Sequence, residues 1–263
     1  MLNVNSFRKM KKSGEKIVML TAYDAATAAI AEKSGVEMLL VGDSMANSVL
    51  GYKNTIALSI EESIFHTSAV RRGAPETFIV ADMPFMTYQN TMEEALKNAA
   101  RYLQQCGANA IKIEGGDENI VAVIEKMTSC GIPVVGHIGL LPQKLLTSGT
   151  YKVAGRTSED VERLVAEAKA IEEAGAFALV LECMPEAVAE KITAAVDIPT
   201  IGIGAGVVCD GQVQVITDVL GLGSFIPKHA KSYANLNEVI SQAIGNYVSE
   251  VKDKKFPTEA NTF

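Results

Sequence analysis

Five ionisable residues of the 263-residue chain stand directly after short apolar runs: Asp43 after LLVG, Asp82 after FIVA, Glu114 after AIKI, His137 after VVG and Glu182 after ALVL. A single aspartate in such a place can cap the next helix or hold a turn. Five at equivalent places point instead to one shared site. Clustered carboxylates raise one another's pKa, and a divalent cation removes that cost. Asp43, Asp82 and Glu114 form an all-oxygen donor set, which suits Mg2+ with waters or substrate oxygens completing its shell. Zinc fits poorly, because His66, His137 and His229 are widely spaced and no C-x-x-C pair is present.

Lys112 lies two residues before Glu114 in AIKIEG, so the period of a strand puts both on one side. Turned outward, it would snorkel between helices. Turned inward, it needs an anionic partner and would hold a substrate carboxylate. His66 falls in a helical segment and is expected to be packed or half-exposed. Glycine runs at 202–206 and 221–223, read as closing the seventh and eighth strands, suit either a backbone phosphate cradle or tight turns. A glycine run after the seventh strand, not the first, argues against a dinucleotide fingerprint.

Such residues need a scaffold that brings strand ends together. Apolar runs at 17–21, 38–41, 77–81, 110–113, 133–136, 177–181, 200–204 and 215–220 alternate with helical segments at 24–33, 59–71, 91–106, 117–130, 158–174 and 185–195. Nearly continuous apolar runs indicate parallel strands covered on both faces. Eight of them predict an α/β fold, a (β/α)8 TIM barrel, in preference to an open doubly wound sheet. All strand ends then face one mouth. Longer connections at 44–58 and 140–156 are expected to shape the pocket. The organisation expected is one domain over 1–263. It has a short N-terminal helical segment, with residues 8–12 as a solvated helix end, and a C-terminal helical extension over 225–263.

Composition narrows the function classes. Hydrophobic residues make up 48% and charged residues 21%, enough for a large core and against disorder. A net charge of -7 without a basic run argues against nucleic-acid binding. No apolar stretch is long enough to span a membrane, and no secretory signal opens the chain. Four scattered cysteines suit a reducing compartment, so a cytoplasmic location is expected.

The blocks TAYDA (21–25), LLVGDS (39–44), ADMPF (81–85), IKIEGG (111–116), GHIGLLPQ (136–143), LVLE (179–182), IGIGAG (201–206) and CDGQ (209–212) resemble the ketopantoate hydroxymethyltransferase family. They follow the family's order from about residue 17 to about residue 230. The resemblance implies a barrel of the phosphoenolpyruvate mutase/isocitrate lyase group. It implies transfer of a hydroxymethyl group from 5,10-methylenetetrahydrofolate to 3-methyl-2-oxobutanoate, through a Mg2+-stabilised enolate, in pantothenate biosynthesis. The products would be 2-dehydropantoate and tetrahydrofolate, and the assembly a homo-oligomer, a decamer. Carried over residue by residue, Asp43 and Asp82 are the direct metal ligands and also face the substrate, and Glu114 is an outer carboxylate of the same metal site. Ser44 and Lys112 hold the oxoacid carboxylate, His137 lies beside the substrate, and Glu182 takes the C3 proton. The rival readings are another Mg2+-dependent enolate-forming lyase or mutase, a phosphate-binding barrel, and a non-catalytic binding protein.

Overall fold

The computed structural model describes residues 2–223 and 225–263. The chain divides into two compact units, one ending at Val215 and the other running from Ile216 to Phe263. The first holds eight parallel strands: β1 (Ile17–Thr21), β2 (Met38–Val41), β3 (Phe78–Asp82), β4 (Ala110–Glu114), β5 (Val134–Gly139), β6 (Ala178–Glu182), β7 (Thr200–Ile203) and β8 (Gly211–Gln214). They pair in chain order and β8 closes on β1, giving the expected closed barrel.

Helices α1 (Val4–Ser13), α2 (Ala25–Lys33), α3 (Met45–Ser48), α4 (Ile60–Gly73), α5 (Met92–Cys106), α6 (Glu118–Ser129), α7 (Leu145–Ser148), α8 (Ser158–Glu173) and α9 (Glu186–Ala195) complete this unit. Their starts follow capping chemistry. Asp24, Thr91, Asp117 and Thr157 each accept a backbone N–H of the first turn, and Ser59 and Glu62 form a reciprocal capping box at α4. The second unit holds α10 (Ile216–Leu220) and α11 (Leu236–Lys252). In it, Tyr247 meets Phe256 edge to face, so part of the expected polar tail packs on α11.

Two expectations about the chain's course are corrected. The eighth strand is GQVQ at 211–214, not the apolar stretch 215–220, which forms α10 instead. Gly211 permits this closure, since a side chain there would collide with the Ile17 carbonyl of β1. Gly221 and Gly223 therefore follow a helix and close no strand. The N-terminal segment is also more than a solvated helix end. Phe7 and Met10 of α1 are buried in the barrel core, and Lys11 pairs with Asp210 at 3.0 Å. Phe7 meets Phe78 and Phe177, whose ring centroids lie 5.0 and 6.2 Å away, so α1 stops the N-terminal end of the barrel.

Strand alternation links this core to the site. Phe78 and Val80 belong to the buried core, and Asp82 continues their row; Ala110 continues to Lys112 and Glu114, Val135 to His137, and Ala178 and Val180 to Glu182. The inward rows are apolar below and ionisable at the C-terminal end.

Candidate active site

Register sets the heights of the polar groups. Asp82 of β3 is level with Lys112 of β4, and Glu114 of β4 is level with His137 of β5. His137 lies inside β5 and Glu182 ends β6, so Asp82, Lys112, Glu114, His137 and Glu182 are all part of their strands, while Asp43 and Ser44 lie just beyond β2.

The Lys112 ammonium sits 2.8 Å from Asp82 Oδ1, 4.0 Å from Glu114 Oε1 and 3.2 Å from His137 Nδ1. His137 Nε2 lies 3.1 Å from Glu182 Oε2, and its Nδ1 lies 3.5 Å from Glu114 Oε1. Asp43 joins through its backbone N–H, which donates to Asp82 Oδ2 at 2.9 Å. Gly42 makes room for this turn, since a Cβ there would lie 2.9 Å from Ser44 Oγ and 3.4 Å from Asp82 Oδ2. Lys112 therefore faces inward. Six of the seven expected residues form one contact chain. Ser44 is turned to Tyr23, its Oγ lying 2.9 Å from the phenol oxygen, and it makes no hydrogen bond to Lys112.

Burial governs the electrostatics. Asp43, Asp82, Lys112, Glu114 and His137 are all buried, while the Glu182 side chain keeps 17% exposure and can meet a ligand. Burial, then the charges of Asp82 and Glu114, pushes Asp43 well above the usual carboxylate range. Burial also raises Asp82, against the pull of the Lys112 ammonium. Glu114 ends below its ordinary value, because hydrogen bonding and charge from His137, then Lys112, outweigh burial. Burial works to neutralise Lys112, yet Asp82, Glu114 and Asp43 together hold it firmly protonated. Burial and Lys112 oppose protonation of His137, but Glu114 and Glu182 prevail and raise it to about 9. When Lys112 donates to Nδ1 the neutral ring carries its proton on Nε2; protonation adds a second proton on Nδ1, toward Glu114. Both forms present Nε2–H to Glu182.

Three partners escaped the search for ionisable strand ends. Gln143, on the turn Pro142–Lys144, donates from Nε2 to Asp43 Oδ2 at 3.0 Å and from its backbone N–H to Glu114 Oε2 at 3.1 Å. The Tyr88 hydroxyl donates to Gln143 Oε1 at 2.9 Å and accepts the Glu114 backbone N–H at 3.0 Å. Tyr23 stands just beyond β1, so extending the strand-end rule to hydroxyl side chains finds it. Nothing comparable points to Gln143 or Tyr88, which lie in connections.

Among the described residues, no three His, Cys, Asp or Glu side chains are arranged to hold a metal ion. Glu114 is turned to His137 and Gln143, which leaves Asp43 and Asp82 as the carboxylates available to a cation. The donor chemistry still fits Mg2+, which is commonly held by one or two carboxylates with waters and ligand oxygens. Asp43, raised by burial and then by the neighbouring negative charges, is the group a cation would relieve. The glycines after β7 serve as tight turns: Gly206 packs on the Glu186 side chain and its carbonyl accepts Gln212 Nε2 at 2.9 Å. His66 is half-buried in α4, its Nδ1 lying 2.6 Å from the Tyr23 carbonyl oxygen.

Phosphonopyruvate hydrolase superposes with a TM-score of 0.65 at 14% identity, covering 100% of this chain and 92% of that one. A 2,3-dimethylmalate lyase of the phosphoenolpyruvate mutase/isocitrate lyase superfamily superposes with a TM-score of 0.61 at 17% identity, covering 100% and 93%. The fold is therefore the (β/α)8 barrel that these two enzymes share. At the level of sequence, a family model described as Ketopantoate hydroxymethyltransferase matches residues 1–259. The 3-methyl-2-oxobutanoate hydroxymethyltransferase of Geobacillus sp. (strain WCH70) is 55% identical over 258 residues, covering 98% of this chain and 92% of that one. That of Thermotoga maritima is 52% identical over 263 residues, covering 100% and 96%. The chain belongs to the ketopantoate hydroxymethyltransferase family.

Proposed function

We propose that the chain carries out its family's reaction, adding a hydroxymethyl group to C3 of 3-methyl-2-oxobutanoate in pantothenate biosynthesis, with 5,10-methylenetetrahydrofolate as the donor and Mg2+ as the metal. Membership of the family, at 50% identity or more to several hydroxymethyltransferases, sets aside a lyase or mutase acting through the same fold. The observation that carries the site reading is the unbroken chain Glu182–His137–Glu114–Lys112–Asp82–Asp43 at the mouth of the barrel.

Glu182 is the general base. His137 Nε2 lies 3.1 Å from its Oε2, leaving Oε1 to take the C3 proton. Asp43 and Asp82 would hold Mg2+, with Glu114 orienting its waters. When bound, the ion withdraws charge from the keto group and makes the neighbouring C3–H more acidic. Lys112, tethered between Asp82 and Glu114, presents an ammonium to the oxoacid carboxylate, and Ser44 offers a hydroxyl to the same group. Removal of the C3 proton leaves a carbon nucleophile, which bonds to the donor's methylene carbon as one of that carbon's two C–N bonds breaks. Water then displaces the second nitrogen and supplies the hydroxyl oxygen; the proton from C3 and one from water end on the two folate nitrogens, and tetrahydrofolate and 2-dehydropantoate leave.

No helix among the described residues is long and apolar enough to cross a membrane. Cys106, Cys130 and Cys209 are free thiols, which supports a reducing, cytoplasmic setting. A homo-oligomer, a decamer by family resemblance, is supported by the apolar side chains that α11 exposes: Val239, Ile240, Ile244, Tyr247, Val248 and Val251.

The test is C3–H exchange in D2O, followed by NMR with the oxoacid and Mg2+, without folate, beside EDTA and no-protein controls. Metal-dependent exchange is expected. Glu182→Gln should bind the oxoacid but exchange its proton about 10²- to 10⁴-fold more slowly, the usual worth of a positioned base. Retained exchange in that variant removes Glu182 from the role.

A further inference from the structure

We propose that Gln143 is a positioning residue that selects which oxygen of Asp43 faces the cation and holds Glu114 in its place beside His137. It also ties their placement to the connection between β5 and β6. The proposal rests on the Mg2+ reading above.

Gln143 is 5% exposed, and every hydrogen-bonding valence of its amide is used. Its Nε2 donates to Asp43 Oδ2 and to the Met83 carbonyl, both at 3.0 Å. Its Oε1 accepts from the Tyr88 hydroxyl at 2.9 Å and from Gln89 Nε2 at 3.0 Å. A flipped amide would set its oxygen against the Asp43 carboxylate and the Met83 carbonyl, so the network determines the orientation. The Gln143 backbone N–H donates to Glu114 Oε2 at 3.1 Å.

One residue thus occupies one oxygen on each of two site carboxylates. Asp43 Oδ1 is left to face the interior of the site, and Glu114 Oε1 is left to His137 Nδ1 at 3.5 Å and Lys112 Nζ at 4.0 Å. A glutamate at this place would lose both donors and add a further negative charge to the group. A neutral amide is the side chain that can steer Asp43 without competing for a cation.

The same connection is anchored beside the base. Leu140 N–H donates to the Glu182 carbonyl at 2.9 Å, and Ala154 N–H donates to the Cys183 carbonyl at 3.0 Å. Between these anchors, Gln143 reaches to the ends of β2, β3 and β4. The carboxylates for the cation and the carboxylate for the proton are therefore referenced to one segment of chain.

The experiment titrates Mn2+ into the purified chain by electron paramagnetic resonance, comparing the parent with Gln143→Met and Tyr88→Phe. Circular dichroism checks that each variant is folded. Gln143→Met, close in volume but without the hydrogen bonds, should bind Mn2+ about 10- to 100-fold more weakly, the range for loss of an outer partner of a metal ligand. Tyr88→Phe releases the Gln143 carbonyl and should weaken binding in the same direction by less. A folded Gln143→Met with the parent's Mn2+ affinity overturns the proposal while leaving the metal reading intact. If that variant does not fold, unchanged affinity in Tyr88→Phe overturns it. A parent chain that binds no Mn2+ overturns the metal reading and the proposal together.

Discussion

His137 shows how much a neighbourhood decides at the scale of a residue. Burial and Lys112 favour a neutral ring, and two carboxylates reverse that preference, raising the imidazole to about 9 from its ordinary value near 6.5. A folded-state pKa above the unfolded one stabilises the fold fully below the unfolded pKa, and the contribution is lost as pH rises through the folded pKa. Urea unfolding of the metal-free protein should therefore show stability from this group falling between about pH 6.5 and about pH 9. His137→Gln should flatten that fall. An equal slope in parent and variant would count against the assignment. Lys112, Asp82, Glu114 and His137 were readable in the sequence because ionisable side chains at the ends of buried runs are costly unless they meet partners. Gln143 was not, because its partner Asp43 lies 100 positions away and a glutamine in a connection costs nothing when solvated.

At the scale of elements, the two ends of the barrel do different work. The N-terminal end is closed by Phe7 of α1 against Phe78 and Phe177. Phe7→Ala should destabilise the protein by about 3–5 kcal/mol, the cost of a large core deletion with its cavity. The Michaelis constant for the oxoacid should stay unchanged, because the site lies at the opposite strand ends. Denaturant unfolding and steady-state kinetics on the same preparation check both halves, and a raised Michaelis constant would show that the two ends are coupled. Most strands and helices were readable, since apolar runs and caps such as Ser59 with Glu62 act over a few residues. β8 was not. GQVQ buries Gly211 and Val213 only because β1 and β7 stand on either side, whereas the more apolar 216–220 forms a helix.

For the whole molecule, the exposed stripe on α11 bears on assembly. Val239, Ile240, Ile244, Tyr247, Val248 and Val251 recur at helical spacing, and each is exposed. A contiguous apolar stripe is the usual mark of a contact surface. Light scattering coupled to size exclusion should find the parent as a homo-oligomer and Ile244→Glu in smaller species. An unchanged mass in the variant would remove α11 from the interface. The barrel itself would be unaffected, as its strands lie in the other compact unit.

The amino-acid sequence by itself determined the alternation of strands and helices, the ionisable residues at the strand ends, and the family. Each follows from local periodicity or from blocks of residues contiguous along the chain. Only the tertiary structure decided which strand closes the barrel, what covers its N-terminal end, and which partner each carboxylate oxygen meets. Those choices depend on groups far apart in sequence, and a hydrogen bond between them has no signature until the chain has folded.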